Sequence, residues 1–225
     1  MFTLIVKIFV GCAGVLGLVF LISGTDVHLP GDHTGFSPEQ PIAYSHALHA
    51  GELGIDCLYC HYGARSSPVA GIPPASVCMN CHKAVTARWD DVLQEKALAK
   101  QEGREPRRII SPELRKLYDA LGLDDNLEPR PGVEPRPIQW VRVHDLPDYV
   151  AFDHRVHVAR GVECQTCHGP VETMERIRQE SSLSMGWCIE CHRINSPQGE
   201  GALPPGLGHP RVNPHVTTDC AACHY

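Results

Sequence analysis

The pattern Cys-x-x-Cys-His occurs five times in this chain of 225 residues: at Cys57–His61, Cys78–His82, Cys164–His168, Cys188–His192 and Cys220–His224. The sequence holds 11 cysteines and 14 histidines, a composition that would produce roughly 0.03 such motifs by chance. Ten of the eleven cysteines are consumed, as Cys57 and Cys60, Cys78 and Cys81, Cys164 and Cys167, Cys188 and Cys191, and Cys220 and Cys223. In this pattern two thiols add to the vinyl groups of a porphyrin, and the adjacent histidine turns under the ring to ligate iron. A disulfide framework has no use for a histidine after every second cysteine. A structural zinc site would not take an invariably adjacent histidine into the same tetrahedron. The motifs therefore predict five covalently attached c-type haems, numbered 1 to 5 in chain order, with His61, His82, His168, His192 and His224 as proximal ligands.

A second pattern precedes two of the motifs. Tyr44-Ser-His46-Ala-Leu-His49 stands ahead of Cys57, and Phe152-Asp-His154-Arg-Val-His157 stands ahead of Cys164. The repeated unit is thus a ligand set, and it supplies four more imidazoles: His46, His49, His154 and His157. The fifth iron is left to His144, Met185 or His215. Met185 is tethered too close to its own motif and is expected to serve a neighbour, haem 5 foremost. His144 can instead join a bis-histidine site and displace one of the four. His28, His33 and His209 read as ordinary surface histidines.

Five haems leave about 45 residues apiece, with aromatics at 6 %, 20 glycines and 19 prolines. Such a chain has little from which to close-pack a core of its own. The expected fold is a multihaem cytochrome c, mainly short α-helices and loops wrapped around five covalent haems, with one N-terminal transmembrane helix. Little stable structure is expected without the cofactor. The formal charge of −6 becomes more negative with haem propionates, and nothing marks a nucleic-acid surface.

Phe2 to Ile22 is apolar apart from Lys7, long enough to span a bilayer. Residues 1–24 are expected to be an uncleaved single-pass anchor in the lipid bilayer of the cytoplasmic (inner) membrane. The positive-inside rule puts the N-terminus in the cytoplasm and the haem domain on the periplasmic face. Cys12 loosely fits a lipoprotein box, but the residues after it stay hydrophobic, which favours a membrane-embedded residue. Residues 25–127 are expected to form a first module with haems 1 and 2. The sequence EPRPGVEPRP marks a linker over 128–142, and residues 143–225 form a second module with haems 3 to 5. The spacing predicts an apolar helical stripe through Val85, Trp89, Val92 and Leu93. It also predicts a capped helix from Ser111 to Gly122 and a short helix over 171–181.

The order F/Y-x-H-x-x-H then C-x-x-C-H resembles the small multihaem cytochromes of the class III type. That resemblance implies that His46 completes haem 1 and His154 haem 3, while His49 and His157 cross to neighbouring haems. More narrowly, the anchor, the five motifs, Trp140–Asp148 and Met185–Arg193 resemble the pentahaem subunit of alternative complex III, a bacterial membrane complex that oxidises quinol. This implies an electron-transfer subunit that is not catalytic alone. It also implies an integral-membrane quinol-binding subunit and an iron-sulfur subunit as partners, with another cytochrome c or a blue-copper protein as acceptor. A multihaem reductase would need an open iron, yet spare ligands here outnumber irons. A stand-alone quinol dehydrogenase would have to build its quinone pocket from a single span.

Overall fold

The computed structural model describes Gly14, residues 32–196 and residues 216–224. The chain divides into two compact units, Met1–Asp32 and His33–Tyr225, and the second carries all five motifs. Apart from Gly14, the expected anchor over 1–24 lies outside the described residues, as do Cys12, His28, His209 and His215. Among the described residues no helix is long and apolar enough to cross a membrane.

The second unit is built of short helices and loops. Its described residues hold no strand, only isolated bridges between Leu123 and Pro129 and between Val150 and His224. A π-helical turn, Ala47–Glu52, precedes α1 (Cys57–Cys60) and a 3-10 turn, Tyr62–Arg65. Then come α2 (Ala75–His82), α3 (Trp89–Glu102), α4 (Pro112–Ala120), α5 (His154–Ala159) and α6 (Cys164–His168). A 3-10 turn at Val171–Thr173, α7 (Met185–Ile194) and a last 3-10 turn at Cys220–Ala222 complete the order.

Every attachment motif rides on a helical turn, because residues three apart share one helix face and a turn sets both cysteines to the same side. Capping makes these short turns possible. Asp56 accepts from the Leu58 amide at 2.7 Å, Asp219 from Ala221 at 3.0 Å, and Ser184 from Trp187 at 3.3 Å, each satisfying an amide that the helix leaves free.

The helix expected after Ser111 forms as read. Ser111 accepts from the Leu114 amide, Pro112 opens the helix, and Gly122 follows its end at φ +70°, a conformation glycine adopts without a Cβ clash. Leu117 and Tyr118 are buried. The Tyr118 hydroxyl donates to the His82 carbonyl at 2.6 Å, so α4 braces the end of α2.

Two expectations change. The apolar stripe is not one helix face: α3 begins at Trp89, and Val85 lies in the turn after α2, where its carbonyl accepts from the His82 ring. Trp89 and Leu93 are exposed, and the buried residue of α3 is Ala99. The helix expected over 171–181 is a single 3-10 turn. Its continuation is barred because the Gln179 backbone pairs with Gly35 and Phe36 instead, at 2.8 and 3.1 Å. The proline-rich stretch forms no helix and is tied down by Arg130 N–H to Gly122 O and Arg136 N–H to Ala120 O, both 2.8 Å.

Only seven hydrophobic side chains are buried among the described residues, three of them alanines. That is far less than a unit of this size uses for a close-packed interior. Crosswise docking of the two ligand repeats organises the unit. The π-turn of the first repeat packs on the 3-10 turn after the third motif, with Ala47 N–H donating to Met174 O at 2.9 Å. Helix α5 of the second packs on the 3-10 turn after the first motif, with His154 N–H donating to Pro68 O at 3.1 Å.

Candidate haem-attachment and ligand sites

The two repeats place their rings alike. Tyr44 stands edge-on to His46 (4.9 Å between ring centres, 82°) and stacks on His49 (4.4 Å, 23°). Phe152 stands edge-on to His154 (4.8 Å, 87°) and stacks on His157 (4.6 Å, 27°). His49 and His157 each set Nδ1 at 2.8 Å from the carbonyl four residues back, Ser45 and Asp153.

The same device recurs at the motif histidines. Nδ1 of His61 meets Gly71 O at 2.7 Å, His82 meets Val85 O at 2.8 Å, His192 meets Thr217 O at 2.7 Å, and His224 meets Tyr149 O at 3.3 Å. His154 likewise uses Pro68 O, at 2.7 Å. A carbonyl can only accept, so Nδ1 carries the proton in each ring and the lone pair lies on Nε2. That is the tautomer and the fixed orientation a metal-ligating imidazole needs.

The rings also face one another in pairs. Centres are 6.2 Å apart for His49 and His82, 6.2 Å for His157 and His192, and 6.4 Å for His154 and His168, the last nearly parallel at 11°. Two imidazoles bound to one metal at about 2 Å each would have centres about 6 Å apart. His46 is buried with no hydrogen-bond partner for Nδ1 among the described residues. Burial, then the imidazoles of His61, His49 and His144, pushes it down to about 4. Burial, then His144, His154, His61 and His46, pushes His168 down to about 3. Both rings are neutral at neutral pH, the form that binds metal.

None of the ten motif cysteines forms a disulfide. No group of three or more His, Cys, Asp or Glu side chains among the described residues could hold a bare metal ion. Paired, opposed imidazoles beside paired thiols fit a planar macrocycle. A tetrahedral ion would need its ligands to converge on one point.

The motifs lie side by side in a definite order. Asn80 of the second motif donates to the Tyr59 hydroxyl of the first at 2.9 Å, and the Cys60 thiol is pushed up by burial and by Cys78. Cys164 of the third motif is pushed up by burial and by Cys57 of the first, to which it is hydrogen-bonded. Burial, then Cys191 and Cys188 of the fourth motif, pushes Cys167 up to about 11. Cys188 in turn feels Cys223 of the fifth motif after burial. The spatial order is therefore 2–1–3–4–5.

Two further candidate ligands lie outside these ring pairs. Met185 opens α7 and is 65 % exposed. His144 packs against the back of His168, its Nε2 3.2 Å from His168 Nδ1. The supporting carbonyls of Pro68, Gly71, Val85, Tyr149 and Thr217 escaped sequence reasoning, since any residue type supplies a carbonyl. Pro68 and Gly71 do sit in the Gly/Pro/Ser-rich turn after the first motif.

Paired thiols and tautomer-fixed imidazoles recur in the second half of the chain, and there residues 150–225 match the family described as cytochrome c7 and related cytochrome c. The chain is also 28 % identical over 130 residues to the multiheme cytochrome c subunit of menaquinone reductase from Nitratidesulfovibrio vulgaris. The aligned stretch is 58 % of this chain and 46 % of the relative, so the chain spans less than half of that protein's length.

Proposed function

We propose that this chain is the multihaem electron-transfer subunit of a membrane complex that exchanges electrons with the quinone pool, carrying five c-type haems on its five motifs. The observation that carries the reading is the series of neighbouring attachment sites in the order 2–1–3–4–5. The second and first are joined by the Asn80–Tyr59 hydrogen bond, and the cysteines of each later site lie near enough to those of the one before to shift their thiols. When bound, haem supplies a one-electron ferric/ferrous couple at each site. The chain's own residues fix where those sites stand and how each ligand is held. His46 and His61, His49 and His82, His154 and His168, and His157 and His192 are the axial pairs this reading assigns. Backbone carbonyls behind six of these imidazoles and of the fifth motif's His224 would hold Nε2 toward the metal. Six-coordinate sites leave no position for substrate, which favours electron transfer over a reductase. The fifth site draws its second ligand from outside these pairs, with Met185 and His215 the candidates.

Residues 1–24 serve as the single-pass anchor in this reading, and an integral-membrane quinone-binding subunit and an iron-sulfur subunit are the partners. The name of the relative describes electrons entering menaquinone. The narrower resemblance to the alternative complex III subunit, carried by Trp140–Asp148 and Met185–Arg193, implies electrons leaving quinol. A line of sites conducts either way, and potentials decide the direction; quinol oxidation, with a cytochrome c or blue-copper acceptor, is the direction proposed.

The test is reduction of the chain's α-band by a reduced menaquinone analogue, in the detergent-solubilised complex and in the separated chain. Reduction only in the complex supports the reading. Equal reduction of the separated chain would make it a stand-alone quinol dehydrogenase. A strong spectral shift with carbon monoxide would make it an open-site enzyme.

A further inference from the structure

Four of the five motif histidines turn Nδ1 to a backbone carbonyl. His168 does not: its Nδ1 lies 3.2 Å from Nε2 of His144, with ring centres 4.3 Å apart at 77°. Its opposite side faces His154 in the near-parallel pair. His144 is held in place by its own backbone surroundings. Its carbonyl accepts from Arg142 Nε at 3.1 Å, the neighbouring Val143 is buried, and the Asp145 amide reaches the buried Gln179 side chain at 3.4 Å.

We propose that His144 is a positioning residue that sets the potential of the central haem by accepting the Nδ1 proton of His168, and is not itself an iron ligand. This rests on the assignment of His154 and His168 as one axial pair. If His168 binds metal through Nε2, its Nδ1 must carry the proton. The His144 Nε2 lone pair then receives that N–H and is not free for a second metal. The two roles exclude each other. An imidazole nitrogen is a stronger base than a peptide carbonyl, so it draws the proton further and makes His168 a more electron-rich ligand. Such a ligand stabilises ferric iron, so this site, third in the line of five, titrates lower than a carbonyl partner would allow.

The experiment is a spectroscopic redox titration of the full holoprotein carrying His144→Leu or His144→Gln, with haem count and carbon monoxide reactivity measured alongside. With His144→Leu one midpoint rises and the others hold, five haems are retained, and the reduced protein stays unreactive to carbon monoxide. His144→Gln, whose amide oxygen can accept the same N–H but is the weaker base, returns that midpoint only part of the way. Unmoved midpoints in both variants overturn the proposal, as does one new carbon monoxide site per chain, which would make His144 an axial ligand. The wild-type protein gives a readout that needs no variant. One low-spin ferric electron-paramagnetic-resonance signal should stand apart in ligand-field strength, and five signals of one class would overturn the proposal even if neither variant assembles. His154→Ala separates the two failures: if it opens no iron, the axial pairing itself is wrong. If it opens one while His144→Leu moves no midpoint, only the role of His144 fails.

Discussion

The two ligand repeats begin alike and diverge between the second histidine and the first cysteine. From His49 to Cys57 is one residue longer than from His157 to Cys164. The rings nevertheless superimpose in their mutual angles, and both Nδ1 atoms reach the carbonyl four residues back. The first repeat absorbs the extra residue by widening to a π-turn, in which Leu53 N–H reaches back five residues to Leu48 O at 2.9 Å. The second stays α-helical. Single π-turns of this kind cluster at functional sites. A second difference lies behind the first histidine of each set. Pro68 O fixes His154, whereas His46 is buried with Nδ1 unpartnered among the described residues. Ring geometry and the backing of the second histidine are thus local properties of the repeat, whereas the carbonyl behind His154 comes from the other half of the chain.

The largest effect should come from removing attachment thiols at corresponding positions. Cys57→Ala with Cys60→Ala, and Cys164→Ala with Cys167→Ala, strike two sites that touch each other in the middle of the line. Each should drop a pyridine haemochrome count from five to four at most, with much lower yield, because the core of buried side chains is too small to fold alone. If one double variant keeps full yield and the other collapses, the two halves do not support each other equally.

Next in size is the loss of a second ligand. His46→Ala, His49→Ala, His154→Ala and His157→Ala should each open one iron, read as about one carbon monoxide per reduced chain. Within each repeat the first and second histidines differ in whose iron opens. The site opened by His154→Ala should vanish when Cys164 and Cys167 are also replaced, whereas that opened by His49→Ala should survive this and vanish with Cys78 and Cys81. The opposite pattern would show that the ligands do not cross as the ring pairs indicate.

The five motifs, the ligand repeat, the capped helix at Ser111 and the loop-rich character were all legible, because each is written in residue types at fixed spacing. The one-residue difference between the repeats was also in view. Its meaning needed the crosswise docking that pins both ends of the π-turn. The order 2–1–3–4–5 was not legible, since the third motif docks beside the first through main-chain contacts to Pro68 and Met174 that no side-chain pattern encodes. The contact of His144 with His168 was hidden for a related reason: a histidine behind another histidine and a histidine on a metal look alike in sequence.

A smaller effect tests the docking itself. A Cβ on Gly51 would run into the carbonyl oxygen of Glu172, on the turn against which the π-helix packs. Gly51→Ala should destabilise the holoprotein by about 1–3 kcal/mol, the usual range for overpacking. The second repeat carries Ala159 at the matching place, two residues after His157. Ala159 is the last residue of α5, so Ala159→Gly should cost no more than the helix-interior penalty of about 0.5–1 kcal/mol. Denaturant unfolding followed in the Soret band would compare them, and equal losses would mean that the π-turn is not pressed more tightly than α5.

The smallest effect concerns the ring that begins each repeat, tyrosine in one and phenylalanine in the other. Tyr44 and Phe152 stack on the crossing histidines at 4.4 and 4.6 Å with almost the same tilt, so the shared ring is what the repeat needs. Burial, then the thiols of Cys60 and Cys78, pushes the Tyr44 phenol up. The group therefore stays neutral at working pH, and losing its hydroxyl removes no charge. Tyr44→Phe should leave stability, haem count and all midpoints within error. Tyr44→Leu should lose about 0.5–1.5 kcal/mol of ring–ring contact and loosen His49, shifting the midpoint of the second site alone. Phe152→Leu should do the same to the fourth site through His157. If Tyr44→Phe proves as damaging as Tyr44→Leu, the hydroxyl has a role that Phe152 cannot share, and the two repeats are equivalent in shape without being equivalent in chemistry.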